Sequence, residues 1–77
     1  MSQNEMILDY LQKEGSITQA EAINQFGCYR LGARVWELKQ RGHKIIKYTE
    51  KGRNRFGLPT RYARYALVHG LQEPQGL

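Results

Sequence analysis

Apolar side chains return along the first forty residues at three- and four-residue intervals, the spacing of one helical face, and the period then shortens to that of strands. Met6, Ile7, Tyr10 and Leu11 line one face of a first predicted helix. Ahead of them Ser2-Gln3-Asn4-Glu5 fits a capping box, in which the Ser side chain and the Glu three residues later each satisfy an orphan backbone donor. Gly15 marks the stop. Ser16-Ile17 is too short to show a period and fits one short strand or a buried plug. Thr18-Gln19-Ala20-Glu21 is a second capping box, opening a helix of about two turns with Ala22, Ile23 and Phe26 on its buried side. Gly27 ends it where a positive φ suits glycine, and Cys28 is expected to point inward.

A third helix is predicted from near Tyr29 to Gly42. In steps of about 100° per residue, Leu31, Val35 and Leu38 fall within roughly 60° of one another and form a narrow core stripe. Tyr29, Arg30, Ala33, Trp36, Glu37 and Gln40 spread over the opposite side, and Arg34 and Lys39 flank the stripe. A short helix, a Gly-containing turn and a second helix make a helix-turn-helix unit. Beyond it, Lys44–Thr49 and Arg61–Val68 are β-branched and aromatic enough to be strands. Residues 50–60 between them, with two glycines and a proline, read as a long basic hairpin loop. Alternation places Tyr65 and Leu67 inward with Arg64 and Ala66 outward, and Ile45 inward on the first strand. The expected organisation is one domain over residues 1–69 and a flexible tail over 70–77.

Composition sharpens this picture. Seventy-seven residues allow one domain with a small core and leave no room for a separate catalytic unit. The net charge of +5 hides an asymmetry: residues 1–29 hold one Lys and four acids, whereas residues 30–77 hold eleven Lys/Arg and three acids. The split suggests a polyanion docked against the second half, and a soluble basic domain with a solvated face is the alternative. Cys28 alone excludes an internal disulfide, and a lone thiol in this apolar setting fits a reducing compartment, so a cytoplasmic location is expected. No apolar run approaches the roughly 20 residues of a membrane span, and no signal core follows the N-terminus. His43 and His69 sit in different segments without metal-ligand spacing, and no nucleophile–base pair or phosphate-cradling loop is present. The reading is therefore of a non-enzyme with no catalytic residue, cofactor or metal.

Three runs carry a family resemblance: Ser16-Ile17-Thr18-Gln19-Ala20-Glu21-Ala22, then Phe26-Gly27-Cys28-Tyr29-Arg30-Leu31-Gly32-Ala33-Arg34-Val35, then Leu38-Lys39-Gln40-Arg41-Gly42-His43-Lys44-Ile45. Together they resemble a family of small winged helix-turn-helix domains common in bacteriophages and prophages, over about residues 5–68. The chain departs from the pattern at Cys28, where Ile is usual, at Gly32, where Ala is usual, and at His43, where an aromatic is usual. The resemblance implies an α+β, mainly α, fold of three helices followed by a β-hairpin wing, with DNA binding as the default function.

On that reading the third helix enters the major groove, where each base pair shows a distinct donor and acceptor pattern. Arg30 is the first candidate for a base contact, since a guanidinium pairs bidentately with guanine. Tyr29, Ala33, Trp36, Glu37 and Gln40 follow along the helix, and Arg34 borders the core with its stem free to cover Tyr10 or Leu38. Trp36 is expected to be partly buried under the hairpin, and Glu37 to accept from cytosine or to orient Arg34 or Arg41. Lys51, Arg53 and Arg55 on the hairpin are placed to reach phosphates or a minor groove, with Asn54 adding a hydrogen bond. Lys44, Lys47, Arg61 and Arg64 extend the basic surface, and Gln19 and Asn24 are candidates for a phosphate at the second helix. Double-stranded DNA is thus the expected partner, as a regulatory or excisionase-like architectural protein, with a homodimer or cooperative assembly supplying specificity that one small domain lacks. The alternative is a winged-helix module that engages or inhibits a host or phage protein through Trp36, Tyr29 and the hairpin.

Overall fold

The computed structural model describes residues 1–68; His69 and the tail expected over 70–77 lie outside them. In chain order the elements are α1 (Gln3–Glu14), β1 (Ser16–Thr18), α2 (Gln19–Phe26), α3 (Leu31–Gln40), β2 (Ile45–Arg53) and β3 (Pro59–Leu67). The strands form one antiparallel sheet in the order β1-β3-β2. This is the expected α+β arrangement of three helices and a hairpin wing, with Ser16–Thr18 a short strand whose Ile17 is fully buried.

Both capping boxes form as the sequence dictates. Ser2 Oγ accepts from the Glu5 amide and Glu5 Oε1 accepts from the Ser2 amide, at 3.2 and 2.7 Å. Thr18 and Glu21 repeat the exchange at 3.2 and 2.9 Å. Gly27 takes a left-handed φ of 64°, which reverses the chain between α2 and α3. Cys28 follows it into the core, as expected.

The core is small: Ile7 and Leu11 of α1, Ile17 of β1, Ala22 of α2, Cys28, then Leu31, Val35 and Leu38 of α3, and Ile45 of β2. Leu8, Tyr10, Phe26, Tyr65 and Leu67 pack around it, with the Tyr10 and Phe26 rings edge-on at 5.6 Å. The α3 stripe, Ile45, Tyr65 and Leu67 all face inward as the pattern predicts. On α1 the buried face is Asn4, Ile7 and Leu11, and Met6 is only half-buried.

Two boundaries differ from expectation. Helix α3 begins at Leu31 rather than near Tyr29, because Tyr29 and Arg30 are used in the turn; Arg30 is the N-cap, at φ −127° and ψ 60°. The hairpin loop is far shorter than residues 50–60: β2 runs to Arg53 and β3 starts at Pro59, paired with it. Beyond the core both faces of this ribbon meet water, so the apolar alternation that betrays a half-buried strand is missing from it.

Candidate nucleic-acid interface

The turn between α2 and α3 is braced by one side chain. Gln19 Nε2 donates to the Cys28 carbonyl at 2.6 Å, and Gln19 Oε1 accepts from the Leu31 amide at 3.0 Å. Arg30 makes no side-chain cap of its own, so Gln19, from the preceding helix, supplies the acceptor that the start of α3 needs. Both ends of its amide are therefore engaged within the turn, so Gln19 braces the entry to α3. Asn24, the other candidate on α2, is exposed.

On α3, Arg30 and Tyr29 project from the N-terminal end; Tyr29 is 74% exposed. Trp36 is 63% exposed, so it is not buried under the hairpin as expected. It stands beside a cleft of about 170 Å³, with Gly32, Trp36 and Lys39 on one wall and Lys47 and Tyr65 on the other. The cleft separates helix from hairpin, which is why the indole stays in solvent. A methyl group at Gly32 would lie 3.5 Å from the Tyr65 hydroxyl, an ordinary contact, so internal packing does not require the glycine. Gln40 is exposed and Ala33 half-buried.

Glu37 and Arg34 are drawn toward α1 instead of outward. Arg34 Nη2 meets Glu37 Oε2 at 3.1 Å, and the buried Asn4 donates from Nδ2 to Glu37 Oε1 at 2.9 Å. Of the two roles expected for Glu37, orienting Arg34 is the one the geometry provides. The cation and anion cancel locally, leaving Arg30 as the uncompensated candidate at the entry of the helix.

Register decides the faces of the wing. Side chains alternate along a strand, so Lys47, Lys51 and Arg53 of β2 share the face that carries Ile45 into the core. Arg61, paired with Lys51, joins them from β3, on the same face as Tyr65. Four cations thus continue the α3 side of the sheet outward from the cleft. Lys44 is exposed at the entry to β2.

The opposite face carries Ile46, Tyr48, Glu50, Tyr62 and Arg64. Arg64, a phosphate candidate from the sequence, has a side chain 19% exposed and held by Glu50 at 2.9 Å, Glu21 at 3.5 Å and Ser16 Oγ at 3.0 Å. The Tyr62 hydroxyl and the Arg64 guanidinium hold the Glu50 carboxyl below its ordinary range. The same hydrogen bond to Glu50 raises the Tyr62 phenol.

At the tip, Asn54 turns inward. Its Oδ1 accepts from the amides of Phe56 and Leu58 at 2.9 and 3.1 Å, so the carbonyl end of its side chain shapes the turn. Gly57, at φ +78°, completes the reversal. Arg53 donates from Nη1 to the Gly57 carbonyl at 2.7 Å, and Arg55 lies 5.9 Å from the Phe56 ring centroid. Sequence reasoning passed over Phe56 and Leu58, both exposed here. The signal was Asn54 two residues before one and four before the other, the spacing of an Asx-type turn.

A braced tight turn leading into an exposed helix, flanked by a cationic hairpin, defines a helix-turn-helix module with a wing. The chain belongs to the winged helix-turn-helix domain family, whose model matches residues 2–70. Duplex DNA is the characteristic partner of this class. No curated protein and no solved structure matches the chain. Among the described residues, no helix is long and apolar enough to cross a membrane.

Proposed function

We propose that this chain binds double-stranded DNA with a sequence preference, serving as a regulatory or DNA-architectural protein of the phage or prophage type. The start of α3 lies in the major groove, with Arg30 reading a base edge and Tyr29, Trp36 and Gln40 beside it. The wing follows the adjoining backbone toward the next minor groove, half a helical turn or about 17 Å away. Ile45 to Arg53 spans about 25 Å of strand, enough to cover that distance. The observation that carries this reading is the register that aligns Lys47, Lys51, Arg53 and Arg61 on the α3 side of the sheet. The internal bonds of Gln19 and Arg64 support bracing roles for these two side chains.

Binding selection from random duplex at two salt concentrations tests the division of labour. Arg30→Ala relaxes base preference, because it removes a bidentate base contact worth about 1–3 kcal/mol of discrimination. Substituting Lys51, Arg53 and Arg55 together by Ala weakens all sequences alike and flattens the salt dependence. With about six phosphates neutralised, the parent has a log–log slope near −5, and the triple variant loses roughly half of it. The same loss of preference in both variants sinks the assignment. A parent that binds no duplex at low salt leaves the protein-binding module as the surviving reading, through exposed Tyr29 and Trp36.

A further inference from the structure

The wing tip carries a feature that phosphate binding does not use. Phe56 is 78% exposed and Leu58 58%, two apolar side chains in a five-residue turn where polar residues are the rule. They are held out by a built turn: besides the two bonds to Asn54 Oδ1, the Asn54 amide donates to the Leu58 carbonyl and the Gly57 amide to the Asn54 carbonyl, each at 2.9 Å. Cations stand on either side, Arg55 against the Phe56 ring and Arg53 tied to Gly57.

An apolar point between two guanidinium groups, at the far end of a cationic ribbon, matches one surface on duplex DNA. The walls of a minor groove attract arginine, and its floor presents the edges of stacked base pairs, between which Phe or Leu side chains can wedge. An apolar pocket on a protein would accept the Phe but would require both cations to be matched separately. We propose that Phe56, backed by Leu58, enters the minor groove beside the α3 site and partly unstacks one base step, bending the DNA. This inference rests on the DNA-binding reading above and adds to it a deformation of the partner.

The turn is already formed, so insertion requires no ordering of the loop. Burial of one Phe and the unstacking of one step are of the same order, and the wedge therefore inserts where unstacking is easiest. Those are the pyrimidine–purine steps TA and CA/TG. The wing then adds sequence preference at a position where no side chain reads a base by hydrogen bonding.

A duplex of about 30 base pairs from the binding selection, with a donor and acceptor dye at its ends, reports bending by energy transfer. Substituting 2-aminopurine at successive steps reports unstacking by increased fluorescence. The parent shortens the end-to-end distance, as a kink of about 20–90° requires, and brightens 2-aminopurine at one step. Phe56→Ala combined with Leu58→Ala loses both signals but keeps the parent's salt slope, because the phosphate contacts are untouched. Phe56→Leu, which keeps an apolar wedge, retains them in part. If the parent binds without bending or unstacking, or the double variant bends like the parent, the wedge is overturned and the DNA-binding reading stands. If the parent binds no duplex at low salt, both fall together, and the apolar tip belongs to a protein contact.

Discussion

At the scale of single residues, Gln19 shapes the candidate interface by holding the turn that leads into α3. Its two hydrogen bonds fix the Cys28 carbonyl and the Leu31 amide on either side of the turn, and with them the position from which Tyr29 and Arg30 project. Gln19→Ala leaves a donor and an acceptor without partners and is expected to cost about 1–3 kcal/mol in urea unfolding. The loss of base preference in that variant should resemble that of Arg30→Ala, because Gln19 holds the turn from which Arg30 projects. Residues of this kind are hard to read from sequence: the spacing predicts that Gln19 opens a helix, but a partner twelve positions away leaves no periodic trace. Asn4 is a second case. It looks like an exposed helix-start residue, yet it is buried against Glu37, thirty-three positions distant. Side chains bound by local patterns, such as Ser2 with Glu5, Thr18 with Glu21, and the stripe of Leu31, Val35 and Leu38, are legible because their partners lie within one or two turns.

Among the elements, the helices and the wing differ in what made them legible. Each helix has a cap or a core stripe written in its own sequence, whereas the outer half of the hairpin has neither, and its polar residues pass for a loop. What closes that hairpin is Asn54, and its removal tests how the tip is held. Asn54→Ala should leave global stability within about 1 kcal/mol of the parent, since the tip lies beyond the core, while amide exchange at Phe56 and Leu58 accelerates by about tenfold or more. Global unfolding in step with the tip would show that the hairpin and the helices form one cooperative unit out to Gly57. The site divides in the same way. The basic character of the wing is plain in Lys51, Arg53 and Arg55, but which cations share a face depends on register, and register depends on a turn whose closing bonds lie outside any hydrophobic pattern.

Across the whole molecule, Arg64 joins the wing to the helices. It reaches Glu50 on β2, Ser16 on β1 and Glu21 on α2. Glu50 is held below its ordinary pKa of 4.5, first by the Tyr62 hydroxyl and then by Arg64. A depressed carboxyl contributes stability that is present above the unfolded value and is lost as pH falls through the folded one. Glu50→Gln should therefore melt at a lower temperature than the parent at about pH 7, and the gap should narrow as the pH falls below the usual carboxylate range. Glu5, also depressed through its bonds with Ser2, titrates in both proteins and cancels from the difference. A gap that persists unchanged at low pH would show that Glu50 acts by packing rather than by charge. The alternation that sorts Lys47, Lys51 and Arg53 from Tyr48 and Glu50 also constrains how such a wing can change its reach. Adding one residue pair to the ladder lengthens it by about 3.4 Å but turns everything beyond the insertion to the opposite side, so cations on the α3 side of the sheet would face away from it. Only an even number of pairs extends the ribbon with its orientation intact. Related wings are thus expected to come in discrete lengths, each separated from the next by about 7 Å, about the full width of a minor groove.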